Sequence, residues 1–236
     1  MTDLHAIELL VIDHSWREAD PGTIAGVLAM RGVTNPEHHA AIDTLATGLE
    51  AELRRRFAGQ DRAAIQATPP YPAYAAYYKR FGQRYHVGMQ LESVALKGKA
   101  LPRGAALVTA MFLTELRHGI LTAGHDLDAL TLPITVAAGS GAESFTTPNG
   151  DPATVKTDDI YTASDEGILS AIITGPSALA RIGPATIAVL FVVYAPPGVA
   201  PGQVAAHLDA LEANTRLIAP EAETSVRAVA VAGDET

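Results

Sequence analysis

The chain has 236 residues, 48% of them hydrophobic and 18% charged, with a formal net charge of −9 and no cysteine. That balance excludes a disordered chain and suits one that buries a core without disulfide or metal staples. The missing thiols exclude disulfide frameworks, thiolate metal sites and cysteine nucleophiles. The acidic balance runs against the basic face that nucleic-acid-binding proteins usually present to phosphates.

The first residues, MTDLHAIELLVIDHSWREAD, carry no basic start, long apolar core or small-residue cleavage site, so no leader is expected. Apolar runs such as TIAVLFVVYA fall short of the ~20 residues a membrane helix needs, and the expected location is the cytoplasm. Residues 23–33 alternate loosely and predict a strand. A helix follows, with Asn35 as its N-cap, Pro36 at its first position and Glu37 in its first turn. Ala40, Ile42, Leu45, Leu49 and Leu53 supply its buried stripe, and His38 and His39 lie within it. Arg54, Arg55 and Arg56 end it, where positive charge suits the helix dipole.

The stretch ATPPYPAYAAYYKRFG predicts a proline turn and a short helix from Pro72 to Phe81, stopped by Gly82. Its tyrosines admit two readings. Beside Lys79 and Arg80 they could stack bases next to a phosphate contact; packed inward they anchor the helix, with their hydroxyls at the core's edge. Further helices are expected over 87–97 and 104–118. The loop between them carries Lys97, Lys99 and Arg103. His118, at the end of the second, suits the dipole of its C-terminus.

From Leu132 short strand-like runs alternate with Gly, Pro, Asn and Asp: LPITVAA, ESFTTP, DIYTA, GILSAII and TIAVLFVVYA. GSGAES at 139–144 reads as a hairpin turn, and Asp165 and Glu166 as another. Asp158 and Asp159, adjacent in an extended segment, face opposite sides. A closing helix, QVAAHLDALEANTRLIA, carries Val204, Leu208, Leu211 and Leu217 on one side, and the strand SVRAVAVA follows. Helices first, short strands next and a helix–strand close predict an α+β fold: a layered antiparallel β-sheet sandwich with helices packed on one side. No P-loop, dinucleotide fingerprint, zincin motif or nucleophile elbow occurs, so no cofactor or metal is expected.

The segments YAAYYKRFG, LKGKALP, GHDLDAL, AESF, DIYTASDEGIL and IGPATIAVLFVV, in that order, resemble the B3/B4 domain of the bacterial phenylalanyl-tRNA synthetase β subunit, and most of all its stand-alone relatives. The resemblance covers about half the chain. It implies one B3/B4-like domain over 1–236, with 1–70 as a family-variable strand–helix part and 200–236 as a closing helix–strand part. It also implies hydrolysis of tyrosine misattached to the phenylalanine tRNA, and hence an aminoacyl-tRNA deacylase-like ester hydrolase that is no ligase on its own. The family's asparagine before the D-L-D motif falls at Phe112, its neighbouring aspartate at Thr109 and its histidine at Ala123, while the S-x-E pattern of stand-alone relatives falls at Val87–Met89. Asp126 and Asp128 match the D-L-D itself and are expected to shape a turn, with His125 packed at an aromatic position.

Three functions follow from these residues. The first is a tRNA-linked binding or editing module, with a pocket near Phe112, Glu115, His118, Ala123 and His125. Its RNA contacts would come from Arg54, Arg55, Arg56, Lys79, Arg80, Lys97, Lys99 and Arg103. The second is a repurposed domain for a small, largely apolar ligand without RNA, which the acidic charge and the apolar replacements favour. The third is a non-catalytic partner-binding role. Nothing in the sequence speaks to an oligomeric state.

Overall fold

In the computed structural model, residues 10–232 are described; the first nine residues, which bear on the leader expectation, lie outside them. The sheet at the centre follows from one sequence run. AVLFVVYA forms β10 (Ala188–Ala195), buried along its whole length, a pattern that requires cover on both faces. It pairs antiparallel with β2 (Ile24–Arg31) and β3 (Leu121–Asp126), and β11 (Glu223–Val231) lies beyond β2, giving the order β11-β2-β10-β3.

Helices cover one face of this sheet. They are α7 (Pro201–Ile218), α6 (Ala106–His118), α2 (Ala40–Arg56) and α5 (His86–Ala95), which pack on one another and on the strands. The fit is close at Gly26 of β2, where a Cβ would stand 2.7 Å from Val204 of α7.

The other face meets a second sheet of short strands: β1 (Leu10–Ile12), β4 (Ile134–Ala138), β7 (Ile160–Ser164), β8 (Gly167–Ala171) and β9 (Gly175–Pro176), in that order. All neighbours are antiparallel except β1 and β4. Polar side chains bridge the layers. The Tyr194 hydroxyl on β10 lies 2.7 Å from that of Thr162 on β7 and 2.8 Å from that of Ser170 on β8. A separate ribbon, β5 (Ser144–Thr146) with β6 (Pro152–Thr154), flanks this sheet. The architecture is α+β with antiparallel sheets, as the sequence predicts. The small helix α1 (His14–Ala19) departs from the one-sided arrangement, since it packs on β4.

The tyrosine-rich helix α4 (Tyr71–Arg80) follows α3 (Arg62–Gln66) and joins the two sheets through hydroxyls. The Tyr74 hydroxyl accepts the Leu121 N–H of β3 at 3.0 Å and donates to the Tyr194 carbonyl of β10. The Tyr77 hydroxyl donates to Asp159 at 3.0 Å and accepts the Ile160 N–H of β7 at 2.9 Å. The Tyr78 hydroxyl donates to the Ile172 carbonyl at 3.2 Å. Tyr74 also stacks on Tyr85, with ring centroids 4.4 Å apart. The inward reading of these tyrosines holds, and their hydroxyls are buried connectors, not an edge.

Other sequence expectations need correction. Asn35 is not the N-cap of α2, which begins at Ala40 after His39, so His38 and His39 precede that helix. The Asn35 side chain instead accepts the Leu107 N–H at 2.9 Å and donates to the Gly183 carbonyl at 3.1 Å. It thereby satisfies an orphan N–H in the first turn of α6, whose own Ala105 has no capping oxygen. Ala40 and Leu217 are exposed, and Ala46 and Ile218 take the core positions. Residues 139–144 do not close a hairpin, because β4 pairs with β1 and β7 while β5 pairs with β6. Glu143 there accepts from the backbone and hydroxyl of Ser140. Asp165 and Glu166 do close the β7–β8 hairpin.

Candidate functional site

A half-open cavity of about 330 Å³ lies where α6, β3 and the β8–β9 region meet. Its walls are largely apolar: Val108 and Met111 of α6, Ala123 and Gly124 of β3, Ile172 after β8, and Ile182. Gly124 lets Ile182 and Met111 close over β3, since a Cβ there would stand 2.7 Å from Ile182 and 2.9 Å from the Met111 sulfur. Polar groups gather from α6, β3, β8 and β10: Glu115, Thr122, His125, Ser170 and Tyr194.

Each polar group is placed by its element. Glu115 lies on the buried side of α6, and its carboxylate accepts the Thr122 N–H of β3 at 2.6 Å. Burial outweighs that bond and pushes its pKa up to about 8, so the carboxyl is mostly protonated at neutral pH. His125 is buried on β3, and its Nε2 lies 3.4 Å from the Ser170 hydroxyl. Desolvation pulls its pKa down to about 4, so its ring is neutral. The Ser170 hydroxyl in turn joins Tyr194 and Thr162. The inner wall therefore offers uncharged donors and acceptors, which suit an ester, amide or hydroxyl group and disfavour an ion.

A chain of contacts leads away behind this wall. The Thr122 hydroxyl lies 2.7 Å from His207 Nε2 on α7, and His207 Nδ1 lies 3.2 Å from His118 Nδ1. Desolvation, with His118 alongside, pulls the His207 pKa down to about 3. Burial and the adjacent Arg117 lower that of His118. His118 is thus a neutral hydrogen-bonding partner, and the dipole account of it gives way to desolvation.

The floor of the β8–β9 turn depends on Asp159, which is fully buried while its neighbour Asp158 is exposed. Its carboxylate accepts from the Tyr77 hydroxyl and from the N–H groups of Ile173 and Thr174, at 3.0, 3.1 and 3.3 Å respectively. Burial still raises its pKa to about 6.

Of the five pocket residues read from sequence, Glu115, Ala123 and His125 line this cavity, whereas Phe112 and His118 do not. Phe112 is half-buried against the core, and His118 lies behind the wall. Asp126 and Asp128 shape a turn, as expected. Asp126 accepts the Asp128 N–H at 3.2 Å and the Thr186 hydroxyl at 2.7 Å, while Asp128 pairs with Arg31 at 2.8 Å. Sequence reading missed Thr122, Ser170, Tyr194 and Arg181. Their spacing forms no motif; the pairing of β3 with β10 sets Thr122 beside the strand of Tyr194, and the hydrogen bond between the two sheets brings Ser170 to Tyr194.

The basic residues fall into separate groups. Arg54 bonds the Gly98 and Lys99 carbonyls and pairs with Glu50, and Arg103 pairs with Asp43 and Glu50, so both are engaged around the loop that carries Lys97 and Lys99. Arg80 pairs with Asp20 at 2.8 Å and covers the Tyr77 ring. Arg56 sits over Phe57. Arg55, Lys79, Lys97 and Lys99 are exposed.

No family model and no curated protein sequence matches the chain. Among solved structures, it is similar to an N-terminal fragment of the phenylalanyl-tRNA synthetase β subunit from Pyrococcus horikoshii. The identity is 10% and the TM-score 0.47, over 94% of this chain and 50% of that one. The chain thus spans about half the length of that fragment. Among the described residues no helix is long and apolar enough to cross a membrane.

Proposed function

We propose that the chain is a tRNA-linked domain whose cavity receives the aminoacyl end of a charged tRNA. The observation that carries this reading is the cavity's make-up: a side-chain-sized apolar space with a neutral polar wall of Glu115, Thr122, His125 and Ser170. An aminoacyl ester has matching parts, an apolar side chain and an uncharged carbonyl. Hydrolysis there needs a positioned water and donors for the developing oxyanion. The protonated Glu115 carboxyl and the Ser170 hydroxyl are the donors available, the Thr122 hydroxyl being engaged by His207. Ala123 stands where the synthetase family keeps its histidine, so any deacylation here works without that group. Outside the cavity, the exposed cations available to phosphates include Arg55, Arg56, Lys79, Lys97, Lys99 and Lys156.

The test is deacylation of a panel of mischarged tRNAs by the purified protein, with a tRNA-binding control across salt concentrations. The reading expects loss of at least one aminoacyl group and binding that weakens steeply with salt. No deacylation together with no gel shift at low salt contradicts it.

A second reading, a small apolar ligand without RNA, draws on one observation. Arg54, Arg80 and Arg103 are held by carboxylates and so are poor phosphate contacts. Native mass spectrometry showing a co-purified small molecule and no RNA favours that reading.

A further inference from the structure

We propose that Arg181 is the anion anchor of the cavity, so that the ligand is an apolar group carrying a carboxylate or phosphate at its outer end. This inference rests on the reading that the cavity binds a ligand and adds the chemical class of that ligand.

Three observations support it. The first is the unspent charge. Arg181 lines the cavity, is exposed, and among the described residues its guanidinium makes neither a hydrogen bond nor an ion pair. Most arginines of this acidic chain do have carboxylate partners: Arg31, Arg54, Arg62, Arg80, Arg84, Arg103, Arg117, Arg216 and Arg227.

The second is placement. Residues 180–182 are clipped to the free edge of β3: Arg181 bridges His125 in antiparallel fashion, and the Asp126 N–H donates to the Ala180 carbonyl at 2.8 Å. The clip holds Ala180 at a φ of 51°, in the left-handed region that a residue with a Cβ occupies only at a cost. The Asp126 carboxylate, bonded to the Thr186 hydroxyl, braces the same segment from its far end. The guanidinium is thus carried on fixed backbone at the cavity rather than on a free loop.

The third is contrast with the interior. The groups facing the cavity from α6, β3, β8 and β10 are Glu115, Thr122, His125, Ser170 and Tyr194. None of them carries a charge at neutral pH. His86, the first residue of α5, also has its pKa lowered by burial. An anion inside would lose its water and gain no countercharge, whereas at Arg181 it keeps part of its hydration and gains a forked donor. The apolar part of a ligand therefore goes inward and its negative end stops at Arg181. Two sources share this chemistry: a free carboxylate with an apolar tail, and the 5′-phosphate of an aminoacylated nucleotide.

The experiment measures the affinity of three probes for the whole chain by NMR titration: 3-phenylpropanoate, its neutral amide, and a non-hydrolysable 3′-phenylalanylamino-3′-deoxyadenosine 5′-phosphate. We expect an anionic probe to bind at least roughly tenfold tighter than the amide, the scale of one charge-assisted contact. In Arg181→Ala the preference for anion over amide disappears, and in Arg181→Lys part of it remains. Tighter binding of the nucleotide assigns the anion to a phosphate; tighter binding of the propanoate assigns it to a free carboxylate. Equal affinity for amide and anions, or a preference that survives Arg181→Ala, overturns the anchor while leaving the cavity as a binding site. Failure of all three probes to bind overturns both.

Discussion

The two sheets of this molecule are built on different principles. The four-stranded sheet is held by apolar side chains in long strands: β10 is buried throughout, and β2 is buried at every position but its last. The five-stranded sheet has strands of two to five residues, and polar side chains hold its shape. Asp159 fixes the turn after β8, Glu166 ties the β7–β8 hairpin to Thr131, and Ser170 and Thr162 join it to Tyr194. The cavity opens where the two meet. A close-packed apolar layer leaves no room for a ligand, whereas a layer braced by individual hydrogen bonds can surround a space.

This contrast makes graded predictions. Leu190→Ala removes a fully buried side chain from β10 and is expected to cost about 2–5 kcal/mol, read as a cooperative shift of the whole denaturant transition. Asp159→Ala leaves the Ile173 and Thr174 N–H groups and the Tyr77 hydroxyl unpaired and should cost about 1–3 kcal/mol. Its signature is local: hydrogen exchange rises over 172–176 before it rises in β10. Equal protection loss in both sheets would erase the distinction drawn between them.

The pH dependence is next in size. The Glu115 pKa is raised to about 8, so its contribution to stability is complete below the unfolded value of 4.5 and is lost as pH rises through about 8. His125 and His207, lowered to about 4 and about 3, contribute stability present above the unfolded value of 6.5 and lost as pH falls through the folded values. The opposing effects overlap between 4.5 and 6.5. Stability should therefore fall from about pH 6.5 to 8, by up to about 1.4 kcal/mol per pH unit, and Glu115→Gln should flatten that limb. An unchanged limb in the variant would mean that Glu115 is ionised in the native protein. Smallest of all, Arg227→Ala, which breaks an exposed pair with Asp209 linking β11 to α7, should cost no more than about 1 kcal/mol by thermal melting.

The same contrast explains what the sequence made legible. Strands and helices that bury apolar stripes announced themselves: β2, β10, α6 and α7 lie within a few residues of their expected bounds. Elements defined by polar partners distant in sequence did not. Asn35 looks like a local helix cap, and its actual partners, at Leu107 and Gly183, are set by tertiary packing. Asp158 and Asp159 read only as neighbours facing opposite sides, because nothing in KTDDIY shows that a tyrosine and two backbone N–H groups await Asp159. At the cavity, Glu115, Ala123 and His125 were within reach because α6 and β3 are adjacent in the chain. Ser170, Tyr194 and Arg181 come from strands and loops further on. Of the pocket expected around Phe112, Ala123 and the nearby Glu115, His118 and His125, the cavity wall includes Glu115, Ala123 and His125, while Phe112 and His118 lie off it.

The proposed function makes the cavity the place where an aminoacyl group enters. The most direct measurement is a chemical-shift map of isotope-labelled protein saturated with the 3′-phenylalanylamino nucleotide. The predicted result is a cluster of large shifts at the backbone of Thr122, Gly124, Ser170, Ile172 and Ile182, with β11 and the outer face of α2 unmoved. Shifts confined to α2 and the 97–103 loop, or none at millimolar ligand, would contradict it.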